Sequence, residues 1–161
     1  MGDGDVIFID SGTTTVHMVD YLSNKKNVKV ITNNILVINA LISYDGIEII
    51  GIGGKVRNST LSFASEESLG ILESYNIQKA FMAATAVNIK NGAMNSSFEE
   101  RGIKQKVVQM SEKVYLLVDS TKLGRSAMLT YCTLKDVEAI ISDGNNKEYI
   151  DMLKKAGVNV F

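Results

Sequence analysis

The sequence has no proline and only one cysteine and one histidine, and each shortage excludes something. Without proline, helix breaks must come from Gly, Asn and Ser. A single thiol, Cys132, cannot form an internal disulfide, which fits the reducing cytoplasm. The lone His17 has no obvious partner, which argues against a zinc site and against a Ser-His-Asp or Cys-His catalytic set. We therefore expect no metal, no cofactor and no catalytic residue.

Long apolar runs and an excess of one charge are also missing. No apolar run approaches the roughly 18–20 residues of a membrane helix, and the first five residues do not begin a signal peptide. These observations predict a cytoplasmic protein with no membrane partner. Seventeen basic and 18 acidic residues give a net charge of −1, whereas a nucleic-acid binder usually has a basic excess. We expect this chain to make no contact with DNA by itself.

What the sequence does contain is an alternation of apolar strand-like segments and helix-like segments over all 161 residues. This pattern predicts one α/β domain spanning residues 1–161, with a mostly parallel sheet and helices on both faces. Residues 55–63 are expected to form an irregular strand or hairpin arm. Asn145 is expected to cap the last helix, and Ser97 with Glu100 to form a capping box. The predicted strands are 6–9, 28–31, 47–50, 79–86, 114–118, 137–141 and 158–161, and the predicted helices are 13–22, 35–42, 65–75, 97–110 and 145–155.

The turn after the first strand is the strongest candidate site, because ligands of open α/β sheets sit beyond the carboxyl ends of the strands. It reads Asp10-Ser11-Gly12-Thr13-Thr14-Thr15 and leads into a helix. Free backbone N–H groups at a helix start favour an anion, Gly12 offers close approach, and the hydroxyls add donors. The second glycine and the lysine of a P-loop are absent, which argues against a nucleoside triphosphate. The alternative is that Ser11 is simply an N-cap.

Polar residues at the other strand ends are weaker candidates, and each has a structural alternative. Thr32 and Asn33 could bind sugar hydroxyls, or Asn33 or Asn34 could simply cap a helix. Gly54 could allow close approach of a ligand or mark an ordinary turn. Lys122 could reach a phosphate or remain in solvent. Glu100 and Lys104, one helical turn apart, could form a surface ion pair.

Taken in order, these strand ends resemble the C-terminal sensor domain of DeoR-type transcriptional regulators. The resemblance extends over nearly the whole chain. It is carried by the segments Phe8-Ile9-Asp10-Ser11-Gly12-Thr13-Thr14, Val30-Ile31-Thr32-Asn33-Asn34, Gly53-Gly54-Lys55-Val56-Arg57, Lys79-Ala80-Phe81-Met82, Glu100 with Lys104, Val118-Asp119-Ser120-Thr121-Lys122-Leu123-Gly124 and Ile140-Ile141-Ser142-Asp143-Gly144.

The resemblance implies a fold related to ribose-5-phosphate isomerase and glucosamine-6-phosphate deaminase, and a phosphorylated sugar as effector of a repressor of sugar metabolism genes. It also implies a winged helix-turn-helix domain N-terminal to this chain that contacts DNA, and a homo-oligomer, either dimer or tetramer. By position, it implies that residues 10–14 bind the phosphate. Thr32, Asn33 and Gly54 would line the pocket, and Glu100, Lys104 and Lys122 would make polar contacts at its rim.

One departure from the family bears on catalysis. After the Ala-Phe strand the chain reads Met82-Ala83-Ala84-Thr85-Ala86-Val87-Asn88, where the family often has glycine. The added methyl groups are expected to narrow the pocket floor. The isomerase relatives carry acidic proton-transfer residues there, so their absence favours sensing over catalysis. An isomerase or deaminase using Glu100 or Asp119 as base is the second hypothesis, and an oligomerisation module with a vestigial pocket is the third.

Overall fold

The computed structural model describes all residues from Met1 to Phe161 and contains eleven strands and five α-helices. Short 3-10 helices lie at His17–Leu22, Ser120–Lys122 and Leu134–Asp136. The strands are β1 (Val6–Ile9), β2 (Val28–Thr32), β3 (Ile47–Gly51), β4 (Val56–Arg57), β5 (Ser62–Phe63), β6 (Ile77–Met82), β7 (Ala86–Asn88), β8 (Gly92–Asn95), β9 (Ser111–Leu117), β10 (Leu129–Cys132) and β11 (Ala139–Ile141). The helices are α1 (Thr13–Val16), α2 (Ile35–Leu41), α3 (Glu67–Leu72), α4 (Phe98–Met110) and α5 (Lys147–Lys155).

Six strands form one parallel sheet in the order β11-β9-β6-β1-β2-β3, which confirms the predicted fold class. The chain first builds β1, β2 and β3 towards one edge. It then returns to the other side of β1 and adds β6, β9 and β11. The direction of winding therefore reverses between β1 and β6. In open α/β sheets, a crevice forms at the carboxyl ends of the strands at such a switch point.

Helices cover both faces of the sheet. Successive side chains of a strand point to opposite faces, so the two faces can be told apart by the apolar clusters that they contact. In β1, Ile7 and Ile9 belong to one apolar cluster and Phe8 to the other. The first cluster includes residues of α2 and of the 3-10 helix that follows α1. The second includes residues of α3, α4 and α5. The expectation of helices on both faces is thus confirmed.

The predicted strand at 79–86 was too long, and a second, antiparallel sheet was missed. β6 ends at Met82, and the chain pairs again only in β7, within a three-stranded sheet of order β10-β8-β7. The interruption has a local cause. The Ala83 N–H donates to the Asp10 carboxylate at 2.9 Å, and the Ala83 carbonyl accepts from the Tyr131 hydroxyl at 2.9 Å. These side-chain contacts replace strand pairing at that point.

Two helix predictions were wrong in detail. The α-helix predicted over 13–22 ends at Val16, and the chain continues as a 3-10 helix. The cap of α5 is Asn146, whose Oδ1 accepts from the Tyr149 N–H at 3.2 Å. Asn145 is instead held by Asp143, because its Nδ2 donates to that carboxylate at 3.0 Å.

Residues 55–63, expected to form an irregular strand or a hairpin arm, contain the hairpin of β4 and β5, with Val56 opposite Phe63. The predicted final strand is reduced to a parallel bridge between Val160 and Ile140. The Phe161 N–H donates to the Ile140 carbonyl at 2.9 Å, so the C-terminal residues lie along the free edge of β11. None of the helices has both the length and the apolar character needed to cross a membrane.

Gly92 and Gly144 form a matched pair for testing how tightly β8 is packed. Both have a φ of +76°. A Cβ on Gly92 would lie 2.2 Å from the Cys132 carbonyl oxygen, whereas one on Gly144 would have no neighbour within 4 Å. We expect Gly144→Ala to lower the free energy of unfolding by about 1–2 kcal/mol through backbone strain alone. Gly92→Ala should lower it by a further ~1–3 kcal/mol.

Urea unfolding of both variants measures the difference. Equal losses at the two positions would show that β8 and β10 are not in close contact at Gly92.

Candidate ligand-binding site

A cavity of about 390 Å³ lies where the switch-point rule places it. Four segments form its wall. They are the turn after β1, residues 83–85 after β6, residues 117–119 with Lys122 at the end of β9, and the tip of the β4–β5 hairpin. Asn34, Leu36, Asn95, Glu100 and Lys104 complete the lining. The volume lies within the usual range for small-molecule sites.

The turn after β1 presents Ser11, Gly12, Thr13 and Thr14 to this cavity, and we call these four residues the cradle. Buried Thr15 holds the turn in shape. Its hydroxyl donates to the Asp10 carbonyl at 2.6 Å and accepts from the Gly12 N–H at 3.0 Å.

Gly12 was expected to allow close approach of a ligand, but the group that approaches it is Ala83. A Cβ on Gly12 would lie 2.2 Å from the Ala83 Cβ. Gly12 is therefore needed to let the cradle pack against Ala83.

Beneath the cradle, Asp10 and Lys104 form a buried ion pair. Asp10 is 0% exposed and Lys104 is 5% exposed. The Lys104 ammonium donates to the Asp10 carboxylate and also to the Ala83 carbonyl at 3.1 Å. The alternative of a surface ion pair between Glu100 and Lys104 is thus wrong. Asp10 supports the cavity from below, whereas Lys104 is part of its wall.

Tyr131 completes the support of Ala83. Burial raises the pKa of its phenol well above the ordinary value, so the hydroxyl keeps its proton. That hydroxyl donates to the Ala83 carbonyl. The Lys104 Nζ lies 5.4 Å from the centroid of the Tyr131 ring, within reach of a cation–π contact. The backbone of Ala83 is therefore fixed by Asp10, Lys104 and Tyr131 together.

Glu100 faces the cavity and does not close the predicted capping box. The Ser97 hydroxyl does accept from the Glu100 N–H, at 3.4 Å, but it donates to Glu99 at 2.7 Å. The Glu100 side chain is 12% exposed, and its Oε1 lies 3.5 Å from the Arg57 Nε. This oxygen accepts no hydrogen bond.

Lys122 and the cradle hydroxyls are the accessible donors. Lys122 ends the short 3-10 helix after β9 and lines the cavity. Its ammonium makes no hydrogen bond or ion pair within the chain, and neither do the hydroxyls of Thr13 and Thr14. A cation and two hydroxyls without internal partners can bind an anion without breaking any existing contact.

Four residues expected at the ligand do not line the cavity: Asp10, which is buried beneath it, and Thr32, Asn33 and Gly54. Thr32 is buried, and its hydroxyl donates to the Ile9 carbonyl at 2.6 Å. The Asn33 amide donates to the Phe63 carbonyl at 3.0 Å, which ties β2 to the hairpin. Gly54 has a φ of +135°, and a Cβ there would lie 2.2 Å from the Ser65 hydroxyl oxygen.

Asn34 and Asn95 are among the lining residues that were not predicted as ligand contacts. The sequence indicates Asn34 only as a helix cap, and it does cap α2, with its Oδ1 2.9 Å from the Leu36 N–H. No pattern in the sequence marks Asn95 as a site residue. Its position one residue before the Ser96-Ser97 start of α4 carries no motif, and only the pairing of β8 brings it to the cavity.

The buried ion pair can be tested by removing its charges one at a time. Lys104→Met leaves the Asp10 carboxylate buried without a counter-charge, and we expect a loss of about 3–5 kcal/mol in the free energy of unfolding. Asp10→Asn combined with Lys104→Met should be more stable than Lys104→Met alone, because no buried charge remains. Lys29→Met serves as control, since the Lys29–Glu48 pair is about half exposed and should contribute under ~1 kcal/mol.

Urea unfolding of the four proteins provides the comparison. A loss for Lys104→Met no larger than that for Lys29→Met would contradict the assignment of a buried, interdependent pair.

Comparison with known proteins gives a consistent result. The family model described as "DeoR C terminal sensor domain" matches residues 1–144. The HTH-type transcriptional regulator IolR of Bacillus subtilis (strain 168) is 39% identical over 140 residues, which is 87% of this chain and 56% of the relative. The lactose phosphotransferase system repressor of Staphylococcus epidermidis is 33% identical, covering 91% of this chain and 58% of the relative. The chain thus spans less than two thirds of the length of these regulators.

Solved structures with this fold have low sequence identity. A ribose-5-phosphate isomerase in complex with phospho-erythronic acid has a TM-score of 0.54 at 17% identity, over 76% of this chain and 48% of the enzyme. The eIF2B beta protein of Chaetomium thermophilum has a TM-score of 0.56 at 16% identity, over 87% of this chain and 44% of that protein. These similarities confirm the relation to the isomerase fold and carry no further argument.

Proposed function

This chain belongs to the family of DeoR C-terminal sensor domains, and from that membership and the site geometry we propose that it binds a phosphorylated sugar as effector. The single observation that carries the proposal is the cradle, whose four residues open onto a cavity next to an unpaired Lys122. We infer that the phosphate is bound by the cradle and Lys122. The relative named for a lactose phosphotransferase system supports a sugar that carries a phosphate.

The donors at the cradle and at Lys122 support an anionic ligand at this end of the cavity. Backbone N–H groups at the start of a helix have no partner inside that helix, and the four-residue α1 begins directly at Thr13. The hydroxyls of Thr13 and Thr14 lie beside these groups, and Lys122 adds a full positive charge. A phosphate offers several acceptor oxygens, so it can satisfy all of these donors together.

We further propose that the intact protein is a cytoplasmic repressor of sugar metabolism genes. Its relatives are transcriptional regulators and extend beyond this chain. The DNA contact would then come from a winged helix-turn-helix domain outside residues 1–161, and the effector would change DNA affinity through a homo-oligomer. A typical coupling between two such sites is about 1–3 kcal/mol.

A second candidate function is a sugar-phosphate isomerase, which is favoured by two carboxylates that could act as the base. Glu100 and Asp119 both line the cavity, although no acidic residue follows β6. An isomerase removes a proton from the carbon next to the sugar carbonyl, whereas a sensor leaves its ligand unchanged. We expect that NMR in deuterated water will show no incorporation of deuterium next to the carbonyl of ribose 5-phosphate or glucose 6-phosphate. Incorporation that Glu100→Gln abolishes would favour the enzyme.

The cradle is tested by calorimetric titration with sugar phosphates and with inorganic phosphate. Lys122→Met and Thr13→Val each remove a contact to the phosphate. A hydrogen bond to a charged group contributes about 1.5–3 kcal/mol, so each variant should bind roughly 10-fold to 100-fold more weakly. Lys135→Met is the matched control, because Lys135 is exposed and lies outside the cavity.

Affinities that stay unchanged in Lys122→Met and Thr13→Val, or that fall equally in Lys135→Met, would refute the assignment of the phosphate to the cradle. If no sugar phosphate binds the wild-type chain, the proposed function itself is wrong.

A further inference from the structure

Three buried side-chain oxygens in the protein accept no hydrogen bond, and two of them belong to residues of the cavity wall. They are Oδ1 of Asn95 and Oε1 of Glu100; the third, Oδ1 of Asn33, belongs to a residue outside the wall. Asn95 is only 1% exposed. In native structures the great majority of buried polar atoms are paired. Two exceptions in the wall of one cavity therefore point to a partner that arrives with the ligand.

The chemistry of the two atoms defines what that partner must be. The Asn95 amide nitrogen already donates to the Ser97 carbonyl at 2.9 Å, so the amide orientation is set and the free atom is the oxygen. The unpaired Glu100 atom is a carboxylate oxygen, and a carboxylate accepts hydrogen bonds. Neither atom can bind a phosphate oxygen or a carbonyl. Each requires a proton donor, and the abundant donors of a sugar are its hydroxyls.

The Glu100 carboxylate lies next to the β4–β5 hairpin. Arg57 of β4 donates to the Ser97 hydroxyl at 2.7 Å, and its Nε lies 3.5 Å from the Glu100 Oε1 without forming a hydrogen bond. The guanidinium thus attracts the carboxylate while leaving that oxygen free to accept. Arg57 is accordingly a positioning residue, and Asn95 and Glu100 are the groups that would touch the ligand.

We propose that Asn95 and Glu100 form a hydroxyl-accepting subsite, which selects a polyhydroxy carbon chain among phosphorylated ligands. The inference rests on the proposed function and assigns different hydrogen-bonding groups to two parts of the cavity. The cradle and Lys122 supply donors to the phosphate, whereas Asn95 and Glu100 supply acceptors to at least two hydroxyls. The specificity of the site for a sugar rather than for any phosphate monoester comes from this second group.

The test compares two probes that share a phosphate and a six-carbon chain. Sorbitol 6-phosphate carries hydroxyls along the chain, and n-hexyl phosphate carries none. Calorimetry with the wild-type chain should show sorbitol 6-phosphate binding at least about tenfold more tightly, because an acceptor left unpaired in a complex costs ~1–3 kcal/mol. Inorganic phosphate serves as a third probe that reports the cradle alone.

The variants assign the preference to residues. Glu100→Gln keeps the shape of the side chain and should reduce the sorbitol-to-hexyl preference about tenfold or more while the affinity for inorganic phosphate stays unchanged. Asn95→Leu should act in the same direction. Glu99→Gln is the control, because the neighbouring Glu99 side chain is 63% exposed and lies outside the cavity wall. If Asn95→Leu fails to fold, Glu100→Gln and the comparison of the probes still test the subsite.

The outcomes separate this inference from the proposed function. Wild-type chain that binds inorganic phosphate or n-hexyl phosphate as tightly as sorbitol 6-phosphate overturns the subsite and leaves the phosphate cradle in place. A preference that survives Glu100→Gln overturns it as well. Failure of all three probes to bind contradicts the proposed function, and the subsite with it.

Discussion

The structure of the candidate site depends on one buried interaction, the ion pair of Asp10 and Lys104. It joins the end of β1 to the middle of α4, and the Ala83 backbone bonded to both residues adds the end of β6. These three elements meet where the direction of winding reverses. A buried charge pair is stabilising only when its hydrogen bonds are complete, and here the N–H and the carbonyl of Ala83 help to complete them. The pair therefore fixes the relative positions of β1, β6 and α4 beneath the cavity.

The cavity above this pair has two chemically different parts. Unpaired donors lie at the cradle and at Lys122, and unpaired acceptors lie at Asn95 and Glu100. A protein interior rarely leaves polar groups unsatisfied, and the unpaired buried acceptors together with the accessible donors are the reason for proposing a ligand that has both a phosphate and hydroxyls. A sensor needs no more than this, since its ligand has only to bind and to favour one arrangement of the whole protein.

Patterns in the sequence predicted the parallel sheet and the cradle, because apolar strands and strand-end turns are local signals. They did not predict which polar residues would be buried. Asp10 and Lys104 are 94 residues apart, and nothing local indicates that an apparent surface lysine would pair with the first strand. Asn95 was missed for a similar reason, since β10 had no recognisable pattern and β8 pairs with it. Thr32, Asn33 and Gly54 follow strand ends as expected but serve the backbone and the hairpin instead of the cavity.

We assign the phosphate to the cradle, and a crystal structure of the chain with sorbitol 6-phosphate would locate it. We expect phosphate density within hydrogen-bond distance of the Thr13 and Thr14 backbone N–H groups and of the Lys122 ammonium. Phosphate density elsewhere on the protein, with the turn at residues 11–14 left empty, would contradict it.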